Sequence, residues 1–372
     1  MSIKFNENGE VVKQLLTLSK QNVSFNCLDK EGLSLLHYAC RNRNAEVVEE
    51  LLENGANPNL KSSCLQKTKS PLHYVFEYGC GDESISIEKH NEIISIMNCL
   101  LNYGSDIEAR NTDGETALYK ASVWGNIPAV KFLLENGATI TYGHTNSALH
   151  DAAGYGDTEM IELLVNHNAD INKMISNKGT PLYRAIIHGK CASVEKLLEL
   201  GADVNATSSR IDSSPLQMAC NTGHLKIVKE LLRHGAKTEL CDQQPAIHRA
   251  TSRGNLDIVK ELLKHGAQVD VLDRDGNTAL QIAAISGDVR IVRELLKNGA
   301  NVNAKTMPEG TVLHFAIDSR FAQRLDAIQA ILEDENVDLN IKDNENLTPF
   351  EKAMQMNHLK IAKMIAIKMC ST

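Results

Sequence analysis

The chain repeats itself with a period close to 33 residues, and a fixed period of that size excludes most compact folds before any residue is given a role. Thr116-Ala117-Leu118-Tyr119, Thr180-Pro181-Leu182-Tyr183, Thr278-Ala279-Leu280-Gln281 and Thr348-Pro349-Phe350-Glu351 are versions of one four-residue step. Its third residue falls at Leu36, Leu72, Leu118, Leu149, Leu182, Leu216, Ile247, Leu280, Leu313 and Phe350, and six of the nine gaps lie within two residues of 33. A second landmark follows 15 and 16 residues later, as Leu51-Leu52, Leu133-Leu134, Leu197-Leu198, Leu231-Leu232, Leu262-Leu263 and Leu295-Leu296. A Gly-Ala step closes most copies.

These landmarks spell out a helix pair. Thr or Ser ahead of Pro-Leu is a helix N-cap, and proline in the first turn forfeits no hydrogen bond. Gly125, Gly156, Gly189, Gly223, Gly254 and Gly287 then end a short helix in the left-handed conformation. A second helix follows, such as Asp288 to Asn298, with Val289, Ile291, Val292, Leu295 and Leu296 on one stripe. Where the closing glycine is missing, Asn168 and Asn336 are expected to take its left-handed backbone. One such pair cannot cover its own apolar face, so neighbours must stack into a continuous thin core. That core explains why only 4% of residues are aromatic while 42% are hydrophobic. It also turns 372 residues, enough for two or three compact domains, into one quasi-linear array.

The pattern T-P-L-H-x-A, a glycine, an I/V-V-x-x-L-L helix and then G-A-D-V-N resembles the ankyrin repeat, over about residues 28 to 366. The resemblance implies an all-α solenoid of stacked antiparallel helix pairs with β-hairpin-like loop tips. Residues 1–28 are read as a capping half-repeat, 29–346 as repeats one to nine, and 347–372 as a C-terminal capping repeat and tail. His37, His73, His150, His248 and His314 occupy the histidine of the repeat step and are expected to be structural. His90, His144 and His188 have no such assignment.

Two copies break the period. About residues 80–92 are inserted in the second repeat, where the acidic run from Gly81 to Glu88 is expected to project as a loop. A short insertion near 320–323 replaces the turn of the ninth.

No catalytic pattern is present: there is no G-x-S-x-G, no phosphate-binding glycine loop and no H-E-x-x-H. Acidic pairs such as Asp273 with Asp275 are expected to be solvated. The nine cysteines include no C-x-x-C, which indicates neither a zinc site nor a disulfide framework, and Cys40 and Cys220 fall at equivalent apolar positions. The chain is therefore read as a non-enzyme that needs no cofactor, metal or small-molecule substrate. No apolar stretch of membrane-spanning length and no secretory leader pattern occurs, which points to a cytoplasmic, reducing setting, with nuclear entry or delivery into a host cell as the alternatives; the chain is read as a monomer.

A net charge of −8 argues against general nucleic-acid coating. Residues 213–308 run the other way, with 13 Lys and Arg against 10 Asp and Glu, much of the basic excess lying on outer helices.

What remains is binding of a partner protein. The resemblance places the concave surface on the first helices, at the second, fifth and sixth positions after the marker. The sixth position of repeats two to five reads Tyr78, Trp124, Tyr155 and His188, and the second reads Lys120, Asp151 and Arg184 in repeats three to five. Aromatic rings are common interface anchors, so this column is the expected partner site and the mixed-charge row its orienting rim. The alternative role for the column is packing between repeats. A related reading makes the chain an adaptor, such as a ubiquitin-ligase substrate receptor or a host-directed effector of a microbe or virus. The resemblance further implies asparaginyl hydroxylation at the closing Asn of D-V-N, here Asn59, Asn172, Asn205, Asn303 and Asn340.

Overall fold

The computed structural model describes residues 24–63, 68–77, 87–140, 147–175, 179–207, 213–239, 244–306, 310–318 and 325–371. It divides into two compact units, residues 1–171 and 172–372. The described residues of both form paired, stacked helices, the all-α solenoid architecture implied by the sequence.

Among the described residues the first unit contains four pairs: α1 (Leu35–Arg41) with α2 (Ala45–Glu53), α3 (Pro71–Tyr74) with α4 (Ile87–Asn102), α5 (Ala117–Val123) with α6 (Ile127–Glu135), and α7 (Ala148–Tyr155) with α8 (Thr158–Asn166). The odd-numbered first helices stack on one another, and so do the even-numbered second helices. The second unit repeats this with α9 (Pro181–Ile187) and α10 (Cys191–Glu199), α11 (Pro215–Thr222) and α12 (Leu225–Arg233), and α13 (Ala246–Ser252) and α14 (Leu256–Lys264). It continues with α15 (Ala279–Ser286) and α16 (Val289–Lys297), α17 (Val312–Asp318) and α18 (Leu325–Leu332), and α19 (Pro349–Gln355) and α20 (Leu359–Ser371).

The first helices start where the sequence places their caps. The side chains of Thr116, Thr180, Ser214, Thr278 and Thr348 each accept from the backbone N–H three residues on. They end in a left-handed residue, with φ of 66° at Gly125 and 64° at Gly189. Arg43 and Asn357 hold the same position without glycine, at φ of 57° and 58°. At the close of the second helix Asn168 is left-handed as expected, with φ of 67°. Asn336 is not, because the side chain of Asp334 captures its backbone N–H at 2.9 Å and ends the helix by another route.

Coverage of each repeat by the next is visible at the fourth position after the marker. Cys40, Phe76 and Ser122 in the first unit, and Ile186, Cys220, Thr251, Ala284 and Ile317 in the second, are all at most 4% exposed. At the last described pair the same position, Met354, is 49% exposed. Burial pushes the thiol of Cys220 up to about 12, so it behaves as a packing group.

The loop tips are short turns closed by one acceptor. The Oδ1 of Asp273 accepts from the N–H of Asp275 at 3.0 Å and of Asn277 at 2.8 Å. Asp29, Asn111 and Asp343 make the same pair of bonds. Asp273 is therefore buried and structural, which corrects the expectation that it is a solvated tip carboxylate. Antiparallel bridges pair Ile175 with Gly179 and Thr306 with Gly310, the hairpin-like character expected of these tips.

The second-repeat insertion is in part a helix. α4 runs 16 residues where most second helices run nine, and it takes in Ile87 and Glu88, the last two residues of the expected loop. Residues 80–86 lie outside the described residues, as does the 320–323 insertion.

Candidate protein-binding face

The third and marker positions of the first helices point into the core, and the second position is mixed: Tyr74, Asp151, Phe315 and Lys352 are buried, whereas Lys120, Arg184, Met218 and Arg249 are half-buried. Trp124 caps α5 and lies half-buried, its ring edge-on to the buried Phe76 of the preceding repeat at 6.1 Å and 79°. That contact is the packing role for Trp124. Tyr155, at the end of α7, is different: it is 66% exposed, the most open of the large apolar side chains in the described residues. Tyr78 lies outside the described residues, and His188 belongs to the second unit, where it caps α9 and is exposed.

The charged row is partly engaged within the chain. Lys120 pairs with Glu115 at 2.6 Å. Asp151 is buried and accepts from the hydroxyl of Tyr119 at 2.9 Å, joining the third and fourth repeats. Burial, with that acidic neighbour, holds the Tyr119 hydroxyl far above the ordinary tyrosine range. Arg184 has no carboxylate partner among the described residues, and its Nε is buried without an acceptor.

On the other side of the second unit, the basic outer helices are interleaved with acids: Arg233 with Glu230, Lys264 and Lys229 with Glu261, Arg290 with Asp288, and Arg293 with Glu333. Such exposed pairs describe a solvated surface.

The histidines of the repeat step are built in. His37, His73, His248 and His314 each place Nε2 at 2.9 to 3.3 Å from a backbone carbonyl of the following repeat, so Nε2 carries the proton. Burial lowers the proton affinity of all four. Gln217 makes the equivalent bond to Gln244 at 2.7 Å.

The closing asparagines join consecutive repeats. Asn59 donates to the carbonyl of Gly104 at 2.8 Å and accepts from the N–H of Asp106 at 2.7 Å. Asn303 does the same with Asn336 and Asp338. Asn172 and Asn205 accept from Asp203 and Lys237. Asn340 donates its backbone N–H to Asp338. The sequence reading missed that the ladder continues through other acceptors: Asn26, Glu108, Glu239 and Asp270 hold the same place and accept from the N–H of Asn57, Thr139, Gln268 and Asn301. Glu108, Glu239 and Asp270 each lie four positions after their closing glycine, a spacing that would have found them.

Among the described residues no helix is long and apolar enough to cross a membrane, and no three His, Cys, Asp or Glu side chains are grouped to hold a metal ion.

The family model for ankyrin repeats (3 copies) matches residues 1–87, 84–144, 142–208 and 216–306. The chain belongs to the ankyrin-repeat family. It is 31% identical over 156 residues to the ankyrin repeat and KH domain-containing protein mask-1 of Caenorhabditis elegans, a match covering 42% of this chain and 6% of that protein. The human ASB11 ankyrin repeat domain superposes with a TM-score of 0.51 at 26% identity, covering 60% of this chain and 98% of that domain. The ankyrin repeat domain of Bcl-3 gives 0.53 at 22% identity over 62% of this chain and 99% of that domain, a likeness of fold. The chain is a protein-interaction ankyrin-repeat module.

Proposed function

We propose that this module captures a partner protein on the first-helix face of its third and fourth repeats, with Tyr155 as the principal anchor and Trp124 beside it. The observation that carries this reading is the 66% exposure of Tyr155 at the end of a helix whose neighbouring positions are buried. A tyrosine so placed offers a large apolar surface with a polar tip at little entropic cost, the property that enriches it at interface centres. Lys120, held by Glu115, supplies a polar rim, and the buried Asp151 acts behind it by fixing Tyr119. No step of bond-making chemistry is assigned to the chain.

Affinity capture with wild type and with Tyr155→Ala, read by mass spectrometry, tests the reading. A partner retained by wild type and lost from the variant supports it, and an unchanged retained set refutes it. Trp124→Ala serves as a second variant only where its melting temperature is unchanged, because Trp124 also packs on Phe76. Hydroxylation at Asn59, Asn172, Asn205, Asn303 or Asn340 is a separate proposal. It rests on the family resemblance and is read by a 16 Da increment in intact mass, about the mass of one oxygen atom.

A further inference from the structure

In the second unit the first helices segregate charge in a way the second helices do not. α9, α11 and α13 pack side by side, and residues 181–190, 215–224 and 246–255, which span them, contain no aspartate or glutamate. They do contain Arg184, Lys190, Arg249 and Arg253. None of the three arginines has a carboxylate partner among the described residues. Their hydrogen bonds go to neutral groups, from Arg249 Nη2 to Ser213 Oγ and from Arg253 Nε to Asn221 Oδ1, both at 3.0 Å. The Nε atoms of Arg184 and Arg249 are buried with no acceptor at all. On the outer helices of the same repeats, by contrast, Glu230 and Glu261 answer the nearby cations.

A guanidinium that is partly desolvated and lacks an anion is poised for a carboxylate, to which it offers two parallel N–H donors. Arg184 and Arg249 occupy the second position of repeats five and seven, and the half-buried Met218 occupies it between them. Ile187, 41% exposed, lies beside Arg184. Burial first, then the charges of Arg184 and Lys190, depress the proton affinity of His188, as a locally positive surface would. Packed helices sit about 10 Å apart, and a chain in the polyproline II conformation advances about 3.1 Å per residue with about three residues per turn. Side chains three apart on such an extended peptide therefore share one face and meet successive repeats.

We propose that the first-helix face of residues 181–255 binds an extended acidic segment of a partner protein in the pattern Glu-x-x-Leu-x-x-Glu, the carboxylates on Arg184 and Arg249 and the apolar side chain on Met218. Arg253 adds a cation at the open edge. A single-stranded nucleic acid is disfavoured because successive bases need successive rings to stack on, and these helices offer no exposed Phe, Tyr or Trp; Tyr183 is 6% exposed and the His188 ring is the exception. The proposal rests on the reading of the chain as a protein-binding module and is independent of the Tyr155 anchor.

The test is fluorescence anisotropy with the full chain and a labelled peptide, Glu-Ser-Ser-Leu-Ser-Ser-Glu, against versions with Gln or Lys at both ends and an oligothymidine of equal length. Arg184→Gln with Arg249→Gln is expected to weaken the Glu peptide about tenfold or more, and Lys226→Gln with Lys260→Gln on the outer helices to change it less than about twofold. If the arginine pair loses its fold, Arg253→Glu takes its place, with weaker binding of the Glu peptide expected. Equal loss from inner and outer variants, equal binding of the Gln peptide, or equal binding of oligothymidine overturns the proposal. Tyr155→Ala leaves this peptide's affinity unchanged, so failure here and failure of the Tyr155 reading are separable.

Discussion

The Nε2 of His248 donates to the carbonyl oxygen of Asn277, 2.9 Å away in the following repeat, and so ties two repeats together through an uncharged ring. His37, His73 and His314 form the same tie, and burial lowers the proton affinity of each. The unfolded chain protonates these rings near pH 6.5, so below that value it binds more protons than the native state and stability falls. Denaturant midpoints are expected to be flat in this contribution above about pH 7.5 and to decline from about pH 7 downward, by at most about 1.4 kcal/mol per pH unit for each ring. Asp29 and Asp343 act lower on the scale. Burial opposes their ionisation, but backbone donors, with Tyr38 at Asp29 and Lys352 at Asp343, hold both below the usual carboxylate range, so their contribution is lost below about pH 4.

Gln217 shows that an amide can replace the ring, since it bonds to Gln244 in the same place. His248→Gln is expected to keep stability at pH 7.5 within about 1 kcal/mol of wild type and to flatten the slope between pH 7 and 5. Urea titrations at both pH values decide the matter, and an undiminished slope counts against the histidine account.

The Asn59 side chain makes one bond as donor and one as acceptor to the next repeat. Asn59→Ala should cost about 0.5–1.5 kcal/mol, because both backbone groups exchange their partner for water. Asn59→Asp should cost less, because the acceptor survives, as it does at Asp270 and Glu108. Equilibrium denaturation of the two variants orders them.

Two glycines at similar backbone angles differ in what surrounds them. A Cβ on Gly189 meets Cε1 of His224 at 2.9 Å, whereas a Cβ on Gly137 meets nothing within 4 Å. Both alanine variants bear the left-handed penalty of about 1–2 kcal/mol, and Gly189→Ala bears the clash besides. His224→Ala is expected to relieve only the second part, which a double-mutant cycle measures.

Lys352 and Asp343 form a buried ion pair at 3.1 Å in the last described repeat. Lys352→Met leaves the carboxylate without its counter-charge and is expected to cost about 3–5 kcal/mol. A thermal melt monitored by circular dichroism reads it, and a loss below about 1 kcal/mol would show the pair to be dispensable.

Much of this architecture is written in short-range chemistry. Thr180 and Pro181 announce a helix start, Gly189 its end and Leu197-Leu198 its buried seam, and the structure places each there. The failures have local physical causes. Ile87 and Glu88 close an acidic run that resembles a loop, yet glutamate is a good helix former, and the two residues open α4. Asp273 resembles any exposed turn carboxylate until its two backbone donors are seen. For Asn336 the competing acceptor at Asp334 lies only two residues away, and the glycine-like reading gave it no weight. The arginine face was hidden because the second-position column was followed only as far as Arg184, one repeat short of Met218 and two short of Arg249.

The ladder that begins at Asn26 tolerates Asn, Asp and Glu because the one bond common to its steps asks only for an oxygen near a backbone N–H. The donor of that bond is main chain and is therefore present whatever the sequence. Removing or copying a whole unit of about 33 residues brings together two ends that already match. Such a chain can lengthen or shorten over generations by recombination between its own copies, without a new junction having to be invented each time.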